Sequence, residues 1–468
     1  MLLVHPVHEV LRQIPLLIGS LVLGSATGNP VWALSGVSLI VGYGLARWFT
    51  TAYRIGPDEL QLRTGVLQRK VLSLPRNRIR SVSTDARLLH RLLGLTVLQV
   101  STGQQAGADT SFALDAVPAR EVPALRATLL AEALAPPGPA GSPGRMLARW
   151  HPSWLRYSAL SFNGLLMIAA AFGVLYQAGA VATLQDSGVI PDPADMVGSA
   201  LITVLVIVTA SVVLSVLQSL LTYANLELRR DADLLHLSHG LLRVREHTFD
   251  MRRLRGGSLR EPLVVRLFGG ARLDAVMTGV AGVGEASQLL PPCPRGTAES
   301  VLAELIGHRA AVDGPLRAHG AAATRRRWTR ALAVPSVFAV PLAVGLLPGW
   351  GWIGWAVLAL CCALLAFDRA RSLGHRVVNG WLVARAGSVE RRRDCIASDG
   401  IVGWTVRQTP LQRRAGVATL VAATAAGVKR YQILDVPAEV VWSIAADVSG
   451  WLADTHWVRC HDGGATKR

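Results

Sequence analysis

Apolar and polar positions change rhythm three times along the chain. Each time, long apolar runs give way to short stretches in which apolar and polar residues alternate. The runs cover roughly 14–28, 31–46, 157–177, 198–221, 331–347 and 350–367. They come in pairs, split at Gly28-Asn29-Pro30, at a segment holding Asp186, Asp192 and Asp195, and at Pro348-Gly349. A membrane-crossing helix needs about 20 apolar residues. The pattern therefore predicts six transmembrane helices arranged as three hairpins. The first two runs are short and bear glycine, but a lone span there would put the first polar region on the opposite side from the other two.

Alternation follows each pair. Leu60 and Leu62 alternate with Gln61 and Arg63, the signature of a half-buried strand. Thr64-Gly65 predicts a hairpin, Val66 to Leu74 the return, and Leu95 to Val100 a further strand. Helical spacing at Val122, Leu125, Leu129, Leu130 and Leu134 ends before Pro136-Pro137. Further along, Leu235 and Leu237 alternate before Gly240, Leu273 to Val276 extends, and Thr297 to Gly307 reads as a closing helix. In the last region Asn379-Gly380 is a strong hairpin dipeptide. Trp381 to Ala384 leads from it to Gly387, and a closing helix is expected from about Pro437 to Leu452. Each region reads as short antiparallel strands closed by one helix.

One frame ties the three regions together. Gly65, Gly240 and Gly387 are each followed 29 residues later by a second glycine: Gly94, Gly269 and Gly416. The second glycines sit in matching settings, Arg91-x-x-Gly94-x-x-x-Leu98, Arg266-x-x-Gly269-x-x-x-Leu273 and Arg413-x-x-Gly416-x-x-x-Leu420, with Arg414 as an alternative equivalent in the third. Three equal spacings with shared offsets imply a threefold internal repeat. The frames lie 175 and 147 residues apart, so each is domain-sized. Arg91, Arg266 and Arg413 are expected to brace backbone carbonyls beside a turn that needs glycine; ligand recognition is the alternative.

Charge sharpens the membrane reading. The chain is 51% hydrophobic yet carries a formal net charge of +17, and no Lys or Arg occurs in 13–46, 157–228 or 331–368. Lys and Arg concentrate in cytoplasmic loops, so both termini and all three repeat regions are expected in the cytosol. Trp32, Trp48, Trp154, Trp350 and Trp352 stand near the expected span ends, where indoles favour headgroups. The five cysteines, Cys293, Cys361, Cys362, Cys395 and Cys460, are odd in number and scattered, which implies free thiols.

Basic residues cluster beside the hairpin glycines: Arg69 and Lys70, then Arg243 and Arg245, then Arg391-Arg392-Arg393. Arg76, Arg78 and Arg80 follow in the first region, and Arg253 and Arg255 in the second. Guanidinium forks match phosphate geometry, and a basic cluster gains roughly 1 kcal/mol per charge at an anionic membrane. Headgroup contact by Arg69, Lys70, Arg76, Arg78, Arg80, Arg243, Arg245, Arg253 and Arg255 is one reading. A solvated cytosolic face is the other. Nucleic acid is not expected, since no reading motif appears.

Other chemistry is thin. His236 and His239 differ by an odd number on an expected strand and should face apart. His456-x-x-x-Cys460-His461 lacks a Cys-x-x-Cys partner, so no metal is expected. Gly279-x-x-Gly282-x-Gly284 reverses the dinucleotide spacing and lacks a following Lys, so no cofactor is expected either. The six apolar runs hold no Asp, Glu, Lys or Arg, which argues against an ion-coupled carrier.

Pro75-Arg76-Asn77-Arg78-Ile79-Arg80-Ser81-Val82, standing before Arg91-x-x-Gly94, resembles the bacterial pleckstrin-homology-like (PH-like) membrane proteins of the YdbS/YdbT type. Three tandem units look most like the longer YdbT type. The second region keeps Arg253-Leu254-Arg255 at that offset, and the third has Gly400-Ile401-Val402 without the arginines. The resemblance implies PH-like antiparallel β-sandwiches with C-terminal helices, no assigned reaction, and a smaller single-domain PH-like membrane protein as a partner. The expected layout is an α+β membrane protein. Hairpins lie at 1–48, 157–221 and 331–367, PH-like domains at 49–135, 222–308 and 368–455, linkers at 136–156 and 309–330, and a tail at 456–468. Its expected role is a non-catalytic scaffold that binds anionic lipid or protein; a passive transporter or channel component is the alternative. The oligomeric state is not readable.

Overall fold

The computed structural model describes residues 38, 42, 52–56, 59–64, 69–75, 81–86, 91–101, 112–122, 124–125, 144–160, 196–279, 287–345, 349 and 351–452. They divide into two compact units. One runs up to Trp150 and adds Leu220–Arg252; the other joins His151–Ser219 to everything from Arg253 onward.

The first unit opens with an antiparallel sheet of β1 (Ala52–Ile55), β2 (Glu59–Thr64) and β3 (Lys70–Pro75). Its second sheet holds β4 (Ser81–Ala86), β5 (Leu95–Ser101), β6 (Phe112–Pro118), β7 (Arg145–Arg149), β8 (Glu227–Asp231), β9 (Leu234–His239) and β10 (Val244–Asp250) in the order β6-β5-β4-β10-β9-β8-β7. Leu60 and Leu74 from the first sheet share one core with Val82, Leu98, Val100, Phe112, Leu114 and Val117 from the second. β7 lies where only a linker is expected, and it pairs with β8.

The second unit has a six-stranded sheet of β11 (Leu254–Pro262), β12 (Gly270–Met277), β13 (Gln288–Pro294), β14 (Gly374–Val378), β15 (Trp381–Ala386) and β16 (Glu390–Ala397), ordered β13-β12-β11-β16-β15-β14. A three-stranded sheet of β17 (Ile401–Arg407), β18 (Val417–Thr424) and β19 (Arg430–Pro437) follows. The described helices are α1 (Leu155–Ala159), α2 (Met196–Tyr223), α3 (Leu263–Leu267), α4 (Arg295–Ile306), α5 (Arg309–Asp313), α6 (Gly320–Ala343), α7 (Gly351–Ser372), α8 (Pro410–Arg414) and α9 (Val441–Val448). Leu382 and Ile396 of the hairpin, Leu420 and Ile433 of the last sheet, and Val441, Ile444 and Ala445 of α9 form a single core. This is the antiparallel sandwich closed by a helix that a PH-like unit requires.

The six-span expectation fails. Among the described residues two helical segments are long and apolar enough to cross a membrane, Leu205–Tyr223 within α2 and Gly351–Ser372, which is α7. Most of the expected span at 331–347 falls in α6, whose first half carries Arg325, Arg326, Arg327 and Arg330 and whose second half contains Pro335 and Pro341. Its charge-free part, residues 331–343, is about 20 Å long at 1.5 Å per residue. A hydrocarbon core is about 30 Å thick. Hydropathy of a window rises with apolar content whatever its helical length, which is why 331–347 reads as a span. The run at 14–28, and most of those at 31–46 and 157–177, lie outside the described residues.

Strand registers recur at the frame offsets. Leu60 opposes Leu74, Leu235 opposes Phe249 and Leu382 opposes Ile396. Thr84 opposes Leu98, Leu259 opposes Leu273 and Val406 opposes Leu420. Two junctions join successive frames edge to edge. β4 pairs with β10 with Thr84 opposite Glu246, and β11 pairs with β16 with Leu259 opposite Arg393. Leu259 and Arg393 lie 175 and 147 residues after Thr84 and Glu246, so both junctions use one register.

Candidate functional site

The Arg-x-x-Gly frame is the end of a short helical turn. In α3 the chain runs Leu263–Leu267, passes Phe268, and reaches Gly269 at φ 75°. Gly94 and Gly416 take the same left-handed conformation, with φ of 66° and 67°, where a side chain is disfavoured and glycine ends helices. The Gly94, Gly269 and Gly416 amides donate to the carbonyls of Arg91, Arg266 and Arg413 at 3.1, 2.9 and 3.2 Å. Each glycine carbonyl then accepts from the segment that starts the next turn or helix, at Ala119, Arg295 and Ala438.

The frame arginines differ in what they hold. Arg91 donates from Nη1 to the Leu241 carbonyl at 3.1 Å. Arg266 reaches the Asp368 carboxylate of α7 at 2.8 Å, and Arg391 reaches the other oxygen of Asp368 at 2.6 Å.

Both apolar helices end against a hairpin turn. At the end of α2, the Gly240 amide donates to Ala224 O and the Leu241 amide to Leu221 O, at 2.8 and 3.0 Å. His239 Nδ1 lies 2.7 Å from the Thr222 carbonyl. At the end of α7, Arg385 donates to the carbonyls of Ser372 and Arg371 at 3.0 and 3.2 Å. A cation at a helix C-terminus also meets the negative end of the helix dipole.

Beside these ends the surface is apolar. Leu92 is 81% and Leu93 51% exposed, and their turn is tied by Arg91 to Leu241. Leu267 is 73% and Phe268 62% exposed, on the turn that Arg266 ties to α7. Leu241, Leu242 and Val389, on the hairpin turns themselves, are exposed as well. In the first two frames the two variable positions are thus apolar tips next to a helix end. Their sequence signal is an apolar pair inside a capped turn with no periodic partner.

The basic candidates separate. Arg69 is exposed at the start of β3, and Lys70 lies on that strand. Arg76, Arg78 and Arg80, with Gly65, lie outside the described residues. Arg243 donates from Nε to Asp85 at 2.6 Å, and the bond holds its guanidinium above the usual range. Arg255 lies 3.1 Å from Asp399. Arg245 on β10 stands opposite both Asp85 and His239, and Arg253 sits in the one-turn helix Met251–Arg253. Gly240 and Gly387 occupy the hairpin turns, at φ 113° and 105°. Arg413 closes α8.

The histidines serve the fold. His236 and His239 fall on opposite faces of β9, and His236 lies 3.1 Å from Thr248 Oγ1. His247 stacks between His239 and Phe249, at 6.1 and 5.8 Å between centroids. Burial pushes its pKa down to about 4, and burial lowers that of His239 too. The unfolded chain therefore takes up protons first as pH falls below 6.5, so stability is lost between pH 6.5 and about 4. For His247 the loss is roughly 3 kcal/mol when complete. Protection factors across β9 and β10, corrected for intrinsic exchange, should drop over this interval, and His247→Phe should flatten the drop. An unchanged profile in that variant would show that another group titrates.

Antiparallel half-sandwiches joined at their edges, with one complete core closed by a helix, define a binding module of the PH class. A family model described as a bacterial PH domain matches residues 9–133 and 331–449, and the chain belongs to that family. No curated protein and no solved structure matches it.

Proposed function

We propose that this protein is a membrane-attached, non-catalytic scaffold whose PH-like units contact the bilayer surface beside α2 and α7. The observation that carries this reading is the placement of Leu92-Leu93 and Leu267-Phe268, all exposed, on turns tied to the hairpin at the end of α2 and to the last turns of α7. A leucine or phenylalanine side chain moved from water into the acyl boundary gains about 1.5–3 kcal/mol. Arginines nearby add roughly 1 kcal/mol each against anionic lipid. The three frames are read as one repeated unit, the third having exchanged its apolar tip for Arg414-Ala415. A smaller single-domain PH-like membrane protein, implied by the resemblance, fits as a partner of such a scaffold.

The test uses the full chain in nanodiscs, with a spin label at Leu267→Cys or Leu92→Cys and a control label at Arg309→Cys on α5. The tip labels are expected to be more accessible to oxygen than to a water-soluble nickel relaxant, increasingly so with anionic lipid. The control should show the reverse. Tip labels that behave like the control would remove the membrane-contact reading.

A further inference from the structure

The two internal junctions are built alike. In each, the first strand of one frame's second sheet pairs antiparallel with the third strand of the next frame's first sheet. Applied to all three frames, this rule leaves two strands over. Among the described residues β3 pairs only with β2, and β17 only with β18. β3 is the counterpart of β10 and β16, and β17 is the counterpart of β4 and β11, by the registers within each sheet.

We propose that β17 of one chain pairs with β3 of a second copy, extending the internal series head to tail. The shared register fixes which residues meet: Val406 opposite Val71, Trp404 opposite Ser73, Thr405 opposite Leu72, and Arg407 opposite Lys70. Positions closed inside the chain are open on these edges. Thr248 and Cys395, the counterparts of Ser73, are buried, whereas Ser73 is exposed. Val82 and Leu259 are buried, whereas Trp404 and Val406 are half-open at the rim of the last core. Val71, an aliphatic residue 60% exposed on an edge strand, would close that rim.

The second copy is the occupant because each chain carries one edge of each kind, in matching register. The charge pattern sets the strength. In the first junction Asp85 meets Arg243; at the equivalent place in the second the signs are exchanged, with Arg260 3.6 Å from Glu390. On the free edge of β17 Arg407 holds the place of Asp85 and Arg260, and Lys70 of β3 comes opposite Arg407 in the shared register. A directly opposed like-charged pair weakens strand pairing by about fivefold at most. Arg260 opposite Arg392 shows that the fold tolerates such a pair, there with Asp274, Asp394 and Glu390 around it. The association is therefore weak, and salt strengthens it by screening. Because the contact is heterologous, it builds rings or filaments rather than closed two-fold dimers.

The test uses two differently tagged full-length chains in one membrane, with Cys361, Cys362 and Cys460 changed to serine. One carries Val71→Cys and the other Val406→Cys. A disulfide between tags is expected. It should be absent when Val402→Cys replaces Val406→Cys, and more abundant at higher salt. Arg407→Glu, which restores an opposite pair with Lys70, should raise the yield severalfold. Lys70→Cys against Arg407→Cys repeats the test without altering a core residue of β17. No disulfide above the Val402 control would overturn the proposal, as would equal yield at both registers. So would a bridge formed within a single chain carrying both cysteines, or capture of a different protein by Val406→Cys. None of these outcomes depends on lipid contact, so the membrane reading stands or falls separately.

Discussion

Asp435→Ala is expected to destabilise the second unit by about 3–5 kcal/mol, the cost of breaking a buried ion pair by removing one partner. The Asp435 side chain is 2% exposed and holds three groups at once. Arg327 lies 2.6 Å and Arg326 3.1 Å from its carboxylate, and the Gln412 amide donates to Oδ1 at 2.8 Å. Burial lowers the Arg327 pKa, and Asp435 is the first of the groups that oppose the shift. Without the carboxylate, a buried guanidinium loses its compensation, and the link between α6 and β19 goes with it. Asp435 also sits at φ 52°, a conformation that Asn and Asp accept more readily than Ala. Asp435→Asn should therefore cost less, keeping the backbone conformation and the Gln412 contact while losing the charge. Hydrogen exchange of the full chain reads the outcome: β17 to β19 should lose protection in the order wild type, Asn, Ala. Equal protection in all three would mean that Arg326 and Arg327 find other partners, and the network would have no structural weight.

What was readable in the sequence was local. Alternation at Leu235 and Leu237 is β9, Asn379-Gly380 is the β14–β15 turn, and the shared offset of Gly94, Gly269 and Gly416 is three identical helix caps. Each depends on neighbours a few residues away. The junctions were not readable, because a strand's second edge takes its partner from anywhere in the chain. Asp85 and Arg243 are 158 residues apart, and in the other junction their counterparts carry exchanged charges, so no repeated residue type marks the contact. Arg243, a candidate lipid or partner contact in the sequence, is paired with a carboxylate that no local pattern announces. The expected span at 331–347 fails for a different reason: the run continues a helix whose earlier turns carry Arg326 and Arg327, beside Asp435. Composition alone does not separate a helix packed on a sheet at one end from one that crosses a bilayer.

Gly256→Ala tests the β11–β16 junction inside the second unit. Gly256 lies on β11 at an irregularity in its pairing with β12, and opposite Ile396 of β16. Its φ is 141°, and a Cβ there would collide with the Cys395 carbonyl oxygen, with the carbonyl carbon 2.9 Å and the Ile396 Cα 3.2 Å away. These are backbone atoms of a paired strand, which no rotamer change can move. The unusual conformation adds of order 1–3 kcal/mol for a non-glycine residue. Together they should raise the population with β11 and β16 separated by roughly a hundredfold, equivalent to about 3 kcal/mol. Cys395 is the reporter: it is buried at the junction, its thiol pushed up to about 12 by burial, so it should resist alkylation in the wild type. Peptide-resolved labelling should show Cys395 reacting about a hundredfold faster in Gly256→Ala, with buried Cys293 on β13 far less affected. Gly257→Ala is the matched control, since its Cβ would meet the Leu302 side chain at 2.5 Å and a rotation relieves that contact. If the two variants label Cys395 alike, the strand junction is not what keeps the second and third frames together.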